Sequence, residues 1–131
     1  MYKKIYYFLL IMIDGFYTFI GMAGCGKTSL AEYLNKKFNI TFVDTDKLIE
    51  IHESMVLEDI KKKNGYMYIR KIEEEIIMSL SNSQKIISTG GSAVYSNKAM
   101  DYLSSISKII FINTSLEIIK ERIGINPERG L

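Results

Sequence analysis

Gly21-Met22-Ala23-Gly24-Cys25-Gly26-Lys27-Thr28 satisfies the pattern G-x-x-x-x-G-K-[ST] at every fixed position. An apolar run, residues 16–20, leads into it, and helix-forming residues, 29–37, lead out. A strand that delivers the chain to a glycine loop, which in turn opens a helix, is the context in which this pattern wraps a polyphosphate. A side chain at Gly21, Gly24 or Gly26 would block close approach of the main chain or forbid the backbone angles required. The helix that starts at the end of the loop, with Ser29 in its first turn, points the positive end of its dipole at the same anion. Lys27 is expected to reach the β- and γ-phosphate oxygens as a mobile point charge, and the Thr28 hydroxyl to take a place on Mg²⁺.

Composition sets the frame around this loop. A chain of 131 residues, 47% of them apolar, makes one domain with a substantial core. Seventeen basic against fifteen acidic residues leave a net charge of +2, too balanced to argue for nucleic acid or an anionic membrane as partner. Cys25 is the only cysteine. It has no disulfide partner within the chain, and its place in the phosphate loop points to a reducing, cytoplasmic compartment.

The first fifteen residues read as an apolar N-terminal extension. Residues 5–13 are nine consecutive apolar residues behind Lys3 and Lys4, the outline of a short signal-peptide core. No small-residue cleavage pattern follows, and Asp14-Gly15 breaks the run well short of the length a bilayer needs, so neither a signal peptide nor a membrane span is expected. Asp14-Gly15 also suits a tight hairpin turn. A strand that feeds a phosphate loop is normally central, however, and would leave an antiparallel partner at 5–13 no edge to occupy. Met12 is a candidate start, with residues 1–11 as an appendage.

From the loop onward, helix and strand alternate. Leu30, Leu34 and Phe38 recur at helical spacing. Residues 40–43 read as a short buried strand ending in Asp44-Thr45-Asp46, followed by a helix carrying Leu48, Ile49, Ile51 and His52. A further helix covers 55–63, and a longer one runs from Asn64-Gly65 to Leu80 with Ile69, Ile72, Ile76 and Leu80 as its core stripe. Residues 85–89 form the third strand and end in Gly90-Gly91-Ser92. Ala99, Met100 and Leu103 mark a helix, 108–112 a fourth strand, and Thr114-Ser115-Leu116-Glu117 a capping box. This alternation implies a parallel sheet with helices on both faces.

In such sheets ligands bind at the carboxyl ends of the strands, and three of the four strands end in unusual residues. If extension continues past Val43, a period of two puts Asp44 and Asp46 on the same side. One carboxylate could hold Mg²⁺ through water; the other could meet an acceptor hydroxyl as base or orienting group. Gly90 and Gly91 permit a substrate to lie against backbone N–H groups. Arg70 projects off the core stripe of its helix. Its planar fork suits a carboxylate, although Glu73 and Glu74 stand at the spacing for an ordinary helical ion pair.

Together these residues resemble the shikimate kinase family, from about Phe16 to the last residue. The resemblance rests on the phosphate loop 21–28, Asp44-Thr45-Asp46, Ile69-Arg70-Lys71-Ile72-Glu73 (similar to F-R-x-x-E) and Thr89-Gly90-Gly91-Ser92 (similar to T-G-G-G). It implies a three-layer P-loop NTPase fold over residues 16–131 and ATP-dependent phosphorylation of the 3-hydroxyl of shikimate, in aromatic amino-acid biosynthesis. It assigns ATP to residues 21–29, Mg²⁺ to Thr28 and Asp44, the substrate hydroxyls to Asp46, the carboxylate to Arg70, and the ring to Gly90 and Gly91. Lys27, Asp46 and Arg129 become the catalytic set, Arg129 falling where the family's mobile lid sends an arginine toward the transferring phosphate.

Departures accompany the matches. Ser92 stands where a third glycine is expected and puts a side chain near the substrate; Ile69 replaces an aromatic residue. Leu131 falls just as the lid begins, so the family's fifth strand, adenine loop, terminal helix and second substrate arginine have no counterpart. Two alternatives therefore accompany the kinase: a nucleotide-binding remnant with little catalysis, and a related kinase for another small acceptor. A monomer is expected, although an unpaired edge where the fifth strand belongs would invite association.

Overall fold

The computed structural model describes residues 15–22, 26–81 and 83–112. Tyr17–Ile20 (β1) leads into the phosphate loop and Lys27–Phe38 (α1) leaves it. Then follow Phe42–Asp44 (β2), Thr45–Glu53 (α2), Leu57–Asn64 (α3), Tyr66–Ser79 (α4), Ile86–Ser88 (β3), a 3₁₀ turn at Ala93–Tyr95, Asn97–Ile106 (α5) and Lys108–Phe111 (β4). The strands lie in the order β2-β3-β1-β4, every pair parallel. Parallel neighbours need crossovers, which the helices supply. β1 is thus flanked on both sides and buried at all four of its positions, as a central strand of a covered sheet must be.

Strand alternation sorts the core into two layers. Tyr17, Phe19 and Ile86 face α1 and pack against Ala31 and Leu34, with Phe42 and Ile110 at the margin. Ile87 faces the other way, against Ile77 of α4 and Ala99 and Leu103 of α5, joined by Val43 and Ile109. A third cluster, Ile49, Ile60, Ile69 and Ile72, fastens α2, α3 and the first half of α4 to one another. The result is the expected three-layer α/β fold. Thr89 ties the end of β3 to β1, since both its amide (3.1 Å) and its hydroxyl (2.8 Å) donate to the carbonyl of Phe19.

The second strand differs from expectation. It starts at Phe42, because Asn39 takes a left-handed conformation (φ 56°) as the cap of α1 and Asn35, one turn earlier, donates from its side chain to the Ile40 carbonyl. It ends at Asp44, because Thr45 already begins α2. Extension does not continue past Asp44, so the sidedness argued for Asp46 from a strand period does not hold. The buried stripe of α4 is Ile69, Ile72, Glu73 and Ile77, a turn that carries a carboxylate inward. Among the described residues no helix is long and apolar enough to cross a membrane. The apolar run 5–13 with Met12, residues Ala23, Gly24 and Cys25, the capping box at 114–117 and Arg129 lie outside the described residues.

Candidate active site

The phosphate loop begins and ends on glycines with positive φ. Gly26, at φ 97° and ψ 13°, caps α1 in a left-handed conformation that a β-carbon would strain, and its carbonyl accepts from Leu30 N–H at 2.9 Å. Lys27 is buried, and its ammonium group donates to the carbonyls of Gly21 (2.5 Å) and Met22 (3.0 Å). The lysine therefore reaches back across the space where an anion would be wrapped. Met22 and Ser29 are exposed on either side of it.

One residue further, the Thr28 hydroxyl donates to Asp44 Oδ2 at 2.9 Å. Asp44 Oδ1 accepts from the amide of Asp46 at 2.9 Å and so caps α2. The two aspartates are brought together by a helix cap, with Asp46 in the first helical turn. Thr28 and Asp44 place two hard oxygens side by side. On the neighbouring strand stands Ser88, which carries no motif signal in the sequence. Ser88 pairs in register with Asp44, shares by alternation the face of Ile86 toward α1, is fully buried, and its hydroxyl finds no hydrogen-bond partner among the described residues. The two adjacent oxygens of Thr28 and Asp44 suit Mg²⁺ with most of its water shell retained.

Glu73 organises the other half of the site. It is 1% exposed and accepts from Thr45 Oγ1 (2.7 Å) and Gly90 N–H (2.9 Å) on one oxygen and from Ser92 Oγ (2.6 Å) on the other. A buried carboxylate with three donors is satisfied as an anion. Gly90 N–H is shared with Thr45 Oγ1 at 2.9 Å, so that amide is occupied within the protein rather than offered to a substrate. What Gly90 contributes is the lack of a side chain: a β-carbon there would collide with the carboxylates of both Asp46 and Glu73. Gly91 is half-buried in the turn that follows. Ser92, at φ −92°, sits in ordinary backbone and turns its hydroxyl onto Glu73.

Arg70 stands one helical turn before Glu73. Its guanidinium lies over the Tyr95 ring, 4.1 Å from the centroid, with Met67 Sδ at 3.8 Å. Glu73 and Glu74, the candidates for an ion pair with it, face serines: Glu74 accepts from Ser96 as Glu73 does from Ser92. The structure thus joins Thr28, Asp44, Asp46, Gly90 and Glu73 through contiguous contacts and holds Arg70 apart on its own platform.

Comparison with known proteins follows this geometry. A family model described as shikimate kinase matches residues 23–131. A shikimate kinase of Staphylococcus aureus is 32% identical over 110 residues, which cover 84% of this chain and 63% of that protein. The chain thus spans less than two thirds of the length of the curated relatives it matches. Among solved structures, a shikimate kinase from Acinetobacter baumannii in complex with shikimate superposes with a TM-score of 0.82 at 22% identity, covering 93% of this chain and 69% of the other. The enzyme from Aquifex aeolicus superposes with a TM-score of 0.70 at 31% identity, covering 81% and 64%.

Proposed function

The chain belongs to the shikimate kinase family, and from that premise we propose that it transfers the γ-phosphoryl group of ATP to the 3-hydroxyl of shikimate, giving shikimate 3-phosphate and ADP. The loop at 21–29 binds the triphosphate with main-chain amides and the α1 dipole, and Lys27 leaves the Gly21 and Met22 carbonyls for the phosphate oxygens. Thr28 and Asp44 hold Mg²⁺, which neutralises charge on the β- and γ-phosphates when bound. Asp46 orients the acceptor hydroxyl and takes its proton as the oxygen attacks phosphorus and ADP leaves. Arg70 grips the substrate carboxylate through its fork. Gly90 keeps the wall beside Asp46 low enough for the ring.

The observation that carries this reading is the Thr28–Asp44 hydrogen bond, which couples the nucleotide end of β1 to the acid pair at the end of β2. The test is ADP release by a coupled assay with and without shikimate. Shikimate-dependent turnover that disappears in Asp46→Asn supports the kinase. ATP binding with no shikimate-dependent turnover overturns it.

A further inference from the structure

The carboxylate-binding arginine has an unusual setting. Arg70 is half-buried on α4, and its Nε is buried with no hydrogen-bond partner among the described residues. Among the described residues its one side-chain hydrogen-bond acceptor is the sulfur of Met67, a weak one. Among the described residues no carboxylate holds its edge. It is held by its face, stacked on the ring of Tyr95 at 4.1 Å. Tyr95 itself is 67% exposed, so burial does not explain where its ring lies.

The turn that carries Tyr95 is fixed to α4 at both ends. Ser92, just before the 3₁₀ turn, donates to Glu73, and Ser96, just after it, donates to Glu74. Two consecutive glutamates of one helix thus anchor the segment between β3 and α5, and the residue between the anchors meets the arginine one turn upstream. A face-held guanidinium spends no N–H on an internal carboxylate, so the donors that Met67 only weakly engages stay available to an incoming one, whereas an edge-held guanidinium would be spent on an ion pair.

We propose that Tyr95 is a positioning residue for carboxylate recognition, its ring holding the Arg70 guanidinium flat with the donor edge turned to the bound anion. This rests on the assignment of Arg70 to the substrate carboxylate. Titration of shikimate into the full chain tests it. Tyr95→Leu weakens shikimate about three- to tenfold while ATP affinity stays at the wild-type value, and Tyr95→Phe, which keeps the ring, restores shikimate affinity. The uncharged methyl ester of shikimate binds wild type and Tyr95→Leu alike. Unchanged shikimate affinity in Tyr95→Leu, an equal loss for the ester, or a parallel loss for ATP overturns the proposal. Equal shikimate binding by wild type and Arg70→Ala instead refutes the carboxylate assignment, and the role of Tyr95 falls with it.

Discussion

The Thr28 hydroxyl meets the Asp44 carboxylate at 2.9 Å, joining the first turn of α1 to the end of β2. The start of α1 and the far end of the strand that follows it, 16 residues apart in the chain, are thereby locked together. Because the other Asp44 oxygen caps α2, one side chain joins a structural role to the metal-binding role proposed for it, and different substitutions separate the two.

Asp44→Ala removes the cap and is expected to cost ~1 kcal/mol of stability, read from urea unfolding. Asp44→Asn retains a capping oxygen and costs less. Both raise the Mg²⁺ concentration needed for nucleotide binding roughly 10- to 100-fold. Equal Mg²⁺ dependence in wild type and Asp44→Asn would separate this residue from the metal.

Glu73 is the buried anion on which three donors converge. Glu73→Ala leaves Thr45, Ser92 and Gly90 N–H without their acceptor, and a loss of about 3 kcal/mol or more is expected. Glu73→Gln keeps the shape but presents an NH₂ group to donors, costing about 1–2 kcal/mol as the hydroxyls reorient. Chemical denaturation checks both, and a stable Glu73→Ala would mean the carboxylate is not a structural hub.

Two glycines separate crowding from backbone strain. Gly65 has φ 83° and open space around a built β-carbon, whereas Gly90 faces Asp46 and Glu73 with no such φ. Gly65→Ala should lower stability by about 1 kcal/mol and leave turnover alone. Gly90→Ala should displace Asp46 and lower shikimate-dependent turnover by more than about tenfold, since misplacement of order 1 Å carries such a penalty. Similar turnover in the two variants would contradict the crowding described here.

On the helical side of the molecule, Tyr68 donates its phenol hydrogen to Glu53. That bond, with desolvation adding to it, favours the protonated phenol and raises its pKa above the ordinary tyrosine value. In an ultraviolet titration Tyr68 should ionise after an exposed tyrosine, and Glu53→Gln should bring it back down. A Tyr68 that titrates normally in the wild-type chain refutes the bond.

Much of this is legible in the sequence. The loop pattern and its strand-helix context located β1 and α1, and alternation of apolar segments foretold the parallel sheet, because these depend on local sequence. Asp46 was placed by a strand period that the chain abandons at Thr45, although Asp44 before a helix-forming run is itself a start signal. Helical spacing offers Glu73 or Glu74 as an ion-pair partner for Arg70, yet Glu73 lies four residues after Ile69, on the same inward stripe. Its donors come from α2 and the β3 turn, so only tertiary structure shows why an acid is tolerated there. Tyr95 carried no signal at all, since its partner is 25 positions away on another element.

The placement of β1 also governs the order in which the molecule can be made. β1 pairs with β3 and β4, Tyr17 standing in register with Ile86 and Lys108 and its amide donating to the Lys85 carbonyl. While a ribosome is still synthesising the middle of the chain, the strand beneath the nucleotide loop has no companion and its amides face water or a chaperone. Nucleotide can therefore act as a folding ligand only late, after nearly the whole described sheet has emerged.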